Sequence, residues 1–258
     1  MGTLSGTSVL VTRPGERSRG VAERLVALGA NVEARPTLAV ESPRDRETPR
    51  EAVANASRYD WVVLTSRNGV RFFHRAWCDR HGAPVALPFS VVSIGPGTAD
   101  EAAALGFAVD VVASKPDSEG LARTLVSLVT SGQRALVVRP EVASDRAVEA
   151  LRAKGVEVDA VAFYRSVPAP DVAGVAADVA RGRYDAVVFT SPSSLRFLVE
   201  AAPDAVGSAL AGLRRVAIGP TTAAALTRRG WPAHAVATAP TDDGIATAVV
   251  DAFGAGAP

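Results

Sequence analysis

Tyr59-Asp60-Trp61-Val62-Val63-Leu64-Thr65-Ser66 returns almost unchanged as Tyr184-Asp185-Ala186-Val187-Val188-Phe189-Thr190-Ser191, 125 residues further on. In both copies a polar pair leads into four apolar residues and out through two hydroxyls. Four apolar side chains in a row leave neither face of a strand wet. Such a run suits a strand covered by helices on both sides, as in a parallel sheet. The likeness extends outward in both directions. Val9-Leu10-Val11-Thr12-Arg13-Pro14 is matched by Ala135-Leu136-Val137-Val138-Arg139-Pro140 at an offset of 126, and Ile94-Gly95-Pro96-Gly97-Thr98-Ala99 by Ile218-Gly219-Pro220-Thr221-Thr222-Ala223 at 124. Gly120-Leu121 finds Gly244-Ile245 at the same 124. A period near half of the 258 residues is too long for a solenoid and marks a duplicated domain.

Each half alternates β-rich apolar runs with amphipathic stretches. The runs fall at 8–12, 31–35, 60–65, 90–94 and 109–112, then at 134–138, 156–162, 185–190, 214–218 and 234–237. Between them, Val21, Leu25 and Leu28, or Leu121, Leu125, Leu128 and Val129, recur at helical spacing. Gly29, Gly106, Gly155 and Gly230 stand where such helices need a left-handed last residue. The pattern predicts an α/β fold with a doubly wound parallel sheet in each of two domains. The repeat boundary, Ser131-Gly132-Gln133, is as short as an ordinary loop inside a domain. The proline-bearing segments Pro36 to Pro43 and Ser166-Val167-Pro168-Ala169-Pro170 make better hinges. The halves are therefore expected to exchange their first strand–helix–strand units. One domain then comprises 1–35 plus 171–258, the other 40–165, with 36–39 and 166–170 as a two-segment linker.

Composition excludes several classes. A net charge of +1 gives no bulk field for nucleic acid or membrane, so any anion is met by local groups. Cys78 is the only cysteine and His74, His81 and His234 are scattered, which removes disulfide frameworks and cysteine-based metal clusters. The N-terminus shows no signal-type apolar segment and no run is long enough to span a bilayer, so cytoplasm is the expected location. There is no G-x-x-x-x-G-K-[ST], no G-x-G-x-x-G after the first strand and no G-x-S-x-G.

In open parallel sheets ligands bind beyond the carboxyl ends of the strands, where helix N-termini present free amides. The small polar turns Thr65-Ser66-Arg67-Asn68-Gly69, Gly95-Pro96-Gly97-Thr98 and Ser114-Lys115-Pro116 lie there, as do their counterparts Thr190-Ser191-Pro192-Ser193-Ser194, Gly219-Pro220-Thr221-Thr222 and Thr238-Ala239-Pro240-Thr241. Capping alone explains any one of them. Six on matching edges point to a polyanion site, expected where the turns of both lobes face one cavity. Arg13 and Arg139 end the first strand of each half, where a guanidinium fork suits a carboxylate.

The order and spacing of Val9 to Pro14, Thr65 to Val70, Ile94 to Ala99, Phe163-Tyr164-Arg165, Phe189 to Ser194 and Ala217 to Thr222 resemble the uroporphyrinogen-III synthase family over nearly the whole chain. The resemblance implies two flavodoxin-like lobes, exchanged and joined by a two-stranded linker. It also implies a lyase that dehydrates hydroxymethylbilane, inverts ring D through a spiro intermediate and closes the macrocycle to uroporphyrinogen III. No metal or organic cofactor is implied. Tyr164 is the catalytic candidate, as a weak general acid toward the departing hydroxyl. Arg13, Ser66, Arg67, Gly97, Thr98, Arg139, Ser191, Ser193, Thr221 and Thr222 form the expected substrate-binding set. The small-molecule bilane is the expected partner, with a transient contact to the deaminase that precedes the enzyme, and without nucleic acid or membrane. Two other readings of the same residues stay open: a non-catalytic tetrapyrrole-binding or regulatory module, and an unrelated two-lobe anion receptor.

Overall fold

The repeated apolar runs are central strands of two parallel sheets. A computed structural model describes residues 3–13, 15–83 and 87–254, with residues 15–17 known by their backbone alone. The strands are β1 (Ser8–Val11), β2 (Asn31–Ala34), β3 (Leu38–Glu41), β4 (Trp61–Leu64), β5 (Ser90–Ser93), β6 (Val111–Val112), β7 (Arg134–Pro140), β8 (Glu157–Pro168), β9 (Ala186–Phe189), β10 (Arg214–Ala217) and β11 (Ala235–Val236). The helices are α1 (Gly15–Ala27), α2 (Glu47–Ala54), α3 (Arg67–His81), α4 (Pro96–Ala104), α5 (Ser118–Leu128), α6 (Arg146–Ala153), α7 (Val172–Ala180), α8 (Pro192–Ala201), α9 (Pro203–Gly212), α10 (Pro220–Thr227) and α11 (Asp242–Gly254).

One sheet runs β11-β10-β9-β1-β2, the other β3-β8-β7-β4-β5-β6. Counting β1 or β7 as strand one, five strands of each sheet follow the order 2-1-3-4-5 of a flavodoxin-like doubly wound fold. Each sheet draws on both halves of the duplication. Val9–Val11 of the first half lie beside Ala186–Val188 of the second, and Trp61–Leu64 beside Ala135–Val138, all in parallel register. By contacts the chain divides into a first unit, up to Ala39 and again from Val167 onward, and a second unit, Val40–Ser166. The segments read as linkers are partly strand. β3 begins at Leu38 and β8 continues to Pro168, whose missing N–H is tolerated at a strand end.

Alternation explains the unbroken apolar runs of β4 and β9. Val62 and Leu64 enter one core of the second unit and Val63 the opposite one. In the first unit Ala186 and Val188 face one core, Val187 and Phe189 the other. Burying a Val, Leu or Phe side chain contributes roughly 1.5–3 kcal/mol, so a charge on either face would be costly. Four of the helices between the strands end alike. Gly29, Gly106, Gly155 and Gly230 have φ of 95°, 86°, 76° and 79°. After each, the next amide returns to the carbonyl five residues back, for example Val156 to Leu151 at 3.2 Å. Only a residue without Cβ takes that backbone cheaply at Gly155, where a Cβ would also meet Ser131 Oγ at 2.5 Å.

The repeated Tyr-Asp pair is structural. Asp60 accepts the first amide of β7, from Arg134, at 2.7 Å, and Asp185 accepts that of β1, from Ser8, at 2.8 Å. Tyr59 donates to Asp159 on β8 at 2.7 Å and Tyr184 to Glu33 on β2 at 2.7 Å. Each tyrosine thus bonds a carboxylate supplied by the other half of the duplication.

Candidate functional site

The strand order of the second unit reverses between β7 and β4, and a crevice is expected at that point. A cavity of about 150 Å3 lies there, lined among others by Thr65 after β4, Ile94 after β5, Arg139 and Pro140 of β7, Ser144, and Tyr164 of β8. Tyr164 is aimed by a bulge. The β7–β8 register slips between Arg139, opposite Ala162, and Pro140, opposite Tyr164, leaving Phe163 as the extra residue. Phe163 and Tyr164 then both reach α3. Phe163 meets Phe73 at 5.5 Å between ring centroids, and Tyr164 stacks on Phe72 at 5.9 Å and 22°.

The Tyr164 hydroxyl is 2.8 Å from Ser66 Oγ, and Ser66 is the N-cap of α3, accepting the Gly69 amide at 2.9 Å. One serine therefore fixes both the helix start and the phenol. Tyr164 is 6% exposed, and this burial pushes its pKa above the usual 10, while the Ser66 hydrogen bond pulls the other way. The phenol is neutral at physiological pH and acts there as a hydrogen-bonding group. Ser66 Oγ already accepts from an amide and can donate its own proton to Tyr164 Oη. That arrangement leaves the tyrosine proton free for a ligand.

The other predicted residues of this unit fall at the same strand ends, in differing states. Arg67, exposed at the start of α3, donates from Nε to the carbonyl of Gly97 at 2.9 Å, tying two helix N-termini together. A Cβ at Gly97 would lie 2.2 Å from the Arg67 guanidinium. Thr98 is buried in the first turn of α4. Arg139 has a largely covered side chain, paired with Asp145 at 2.5 Å and bonded to the Ala143 carbonyl at 3.2 Å.

In the first unit the corresponding reversal lies between β1 and β9. Thr12 Oγ1 donates to the Val188 carbonyl at 2.9 Å, and Thr190 Oγ1 donates to the Thr12 carbonyl at 3.3 Å. The second unit keeps the latter bond, Thr65 to Val138 at 2.7 Å, but has Val138 where the first has Thr12. Hydroxyl lacing is thus denser in the first unit. Arg13 is drawn to Asp242 at 2.8 Å and Ser18 at 3.3 Å, and Pro14 after it lies outside the described residues. Ser191 caps α8 in a reciprocal box with Ser194, and Ser193 is half-buried in the same turn. At the start of α10, Thr221 is exposed and Thr222 is 2% exposed. Gly219, the N-cap, has nothing within 4 Å of where its Cβ would be, whereas a Cβ at Gly95 would meet Pro116 at 2.6 Å. Sequence reading missed Phe72, Asp145 and Asp242, because a ring stack and two ion pairs leave no local pattern. Among the described residues no three His, Cys, Asp or Glu side chains are grouped to hold a metal, and no helix is long and apolar enough to cross a membrane.

Fold and crevice together define an α/β protein of two flavodoxin-type units, with hydroxyls and helix N-termini collected at the carboxyl ends of its strands. A model of the family described as uroporphyrinogen-III synthase HemD matches residues 20–247. The chain belongs to the uroporphyrinogen-III synthase family, which serves tetrapyrrole biosynthesis. It is 32% identical over 229 residues to a putative uroporphyrinogen-III synthase of Methanothermobacter thermautotrophicus, covering 85% of this chain and 88% of that one. It is 29% identical to the porphyrin biosynthesis protein HemD of Ruminiclostridium josui over 86% of this chain, and spans only 44% of that longer protein. The fold is that of a mutant uroporphyrinogen III synthase from Thermus thermophilus, with a TM-score of 0.70 at 21% identity over 96% of this chain and 99% of that one.

Proposed function

We propose that the chain dehydrates and cyclises hydroxymethylbilane, inverting ring D, to give uroporphyrinogen III. The observation that carries this reading is the buried Tyr164–Ser66 pair on the crevice, in a chain of this family. As the C–O bond of the bilane breaks, the departing hydroxyl takes the Tyr164 proton and leaves as water, and the pyrrole N–H of ring A gives up the proton that restores the phenol. The methylene carbon so freed bonds to the substituted carbon of ring D to give the spiro species; the link from ring D to ring C breaks and re-forms at the other α-carbon of ring D, which loses its proton as the type III ring closes. A phenol above pKa 10 is a feeble proton donor, which suffices because the leaving group departs readily. Selectivity rests on holding the bilane in the spiro-forming shape, and each factor of ten over the type I closure requires only about 1.4 kcal/mol. Ser66, Arg67, Gly97, Thr98 and Arg139 bind carboxylate arms in the second unit, and Arg13, Ser191, Ser193, Thr221 and Thr222 do so in the first. Arg13 and Arg139 exchange their present carboxylates for those of the substrate. A cytoplasmic location and a passing contact with the deaminase that makes the bilane belong to the same reading.

The test is a coupled assay in which a deaminase supplies hydroxymethylbilane and the oxidised porphyrins are separated by isomer. Excess type III over the uncatalysed mixture is expected. A product ratio equal to that of the deaminase alone would refute the assignment.

A further inference from the structure

Away from the strand-end turns, β3, α2 and α3 of the second unit enclose a groove that the reaction does not use. Two adjoining cavities, of about 500 and about 630 Å3, share Ser42, Pro43, Arg46, Phe72 and Arg75. Pro43, Pro49, Phe72, Ala76 and Phe163 make an apolar floor. The walls carry both signs of charge: Arg46, Arg50, Arg75 and Arg80 stand with Glu47, Glu51 and Asp79 around the first cavity, and Arg44, Arg46, Arg75 and Arg165 with Glu41 alone around the second. Arg46, Arg75 and Arg80 make no ion pair among the described residues, although Glu47 pairs with Arg50 close by. Arg165 donates one Nη to Glu41 at 2.9 Å, but its Nε is buried without any partner. Arg75 lies over the Phe72 ring at 5.5 Å. The excess of cations lies where the two cavities join, with Arg46 and Arg75 common to both, and an anion there offsets their mutual repulsion. Guanidinium forks suit planar oxyanions, and Phe72 and Pro43 suit a flat ring.

We propose that this groove binds a planar aromatic ring carrying two or more carboxylates, at a site separate from the strand-end crevice. The volume lies within the range of ordinary small-molecule pockets. Phe72 lines the groove floor with one side of its ring and meets the Tyr164 ring with the other, so an occupant touches the residue that packs the phenol in place.

The experiment is calorimetric titration of the full chain with benzene-1,3,5-tricarboxylate, with citrate and inorganic phosphate as ringless anions. One saturable equivalent is expected for the aromatic acid, with at least tenfold weaker binding of citrate and phosphate. Arg46→Ala with Arg75→Ala should weaken the aromatic acid at least tenfold, while the melting temperature and the conversion of hydroxymethylbilane stay near wild type. Arg80→Ala alone should give a smaller loss in the same direction. Absence of saturable binding, or affinity unchanged in the double variant, overturns the site. Citrate or phosphate binding as tightly as the aromatic acid overturns the ligand class.

Discussion

At the scale of single residues, Tyr164 and Ser66 act as one device, and their variants should separate its two duties. Tyr164→Phe keeps the ring on Phe72 and removes only the hydroxyl. Single-turnover formation of type III should fall about tenfold, the equivalent of one hydrogen bond of about 1.4 kcal/mol in the transition state, with the melting temperature little changed. A rate equal to wild type would remove the phenol from the chemistry. Ser66→Ala removes the partner of Tyr164 and also the cap of α3, which costs about 1 kcal/mol of stability. It should lower both the urea midpoint and the type III yield, and Ser66→Thr should restore the midpoint. Hydroxyls at strand ends were readable from sequence because Ser-x-x-Gly and Ser-x-x-Ser place a donor and an acceptor within one turn. The stack on Phe72 was not, since it depends on a bulge that exists only when β7 and β8 are paired. Arg13 and Asp242 are 229 positions apart, and only the topology brings them together.

Elements were legible in proportion to their burial. β4 and β9 announce themselves as unbroken apolar runs, because helices cover both faces. β3 does not: Leu38-Ala39-Val40-Glu41 is a short edge strand with half-wet side chains, and it reads like the extended chain before it. β6 and β11 pair over two residues each, shorter than the runs around them. α7 shows a different kind of invisibility. Its Asp178 accepts from Arg35 and from Arg181, and these hydrogen bonds hold the carboxyl below the usual aspartate range. A carboxyl lowered on folding stabilises the fold above its unfolded value, near pH 4, and loses that contribution as pH falls through the folded value. Asp178→Asn should therefore unfold at lower urea than wild type at pH 7, with the gap narrowing below about pH 4. A gap of constant size from pH 7 to pH 3 would mean that the charge is not what matters.

For the molecule as a whole, the exchange of strands between repeats decides which pieces can stand alone. Val40–Ser166 is one continuous stretch that carries nearly all of one sheet and both of its cores. Expressed by itself, it should unfold cooperatively in urea with dispersed amide resonances. The first half of the duplication, residues 1–130, has β1 and β2 without β9 and β4 without β7, and should show neither. A cooperative 1–130 fragment would contradict the pairing of β1 with β9 and of β4 with β7. The sequence cue for this wiring is the brevity of Ser131-Gly132-Gln133 beside the proline-bearing segments, whereas the register of each pairing became visible only with the sheets assembled.

The pairing of Val9 with Ala186 has a further consequence for synthesis. A ribosome adding about 5–20 residues per second places an interval on the order of 10 to 35 s between these two partners. During that time the nascent chain carries two finished strands and an amphipathic helix with no sheet to join, and the whole of the unit that follows them is made before Ala186. Slow translation should therefore penalise the amino-terminal strands first, and holdase chaperones should be found on them before anything else.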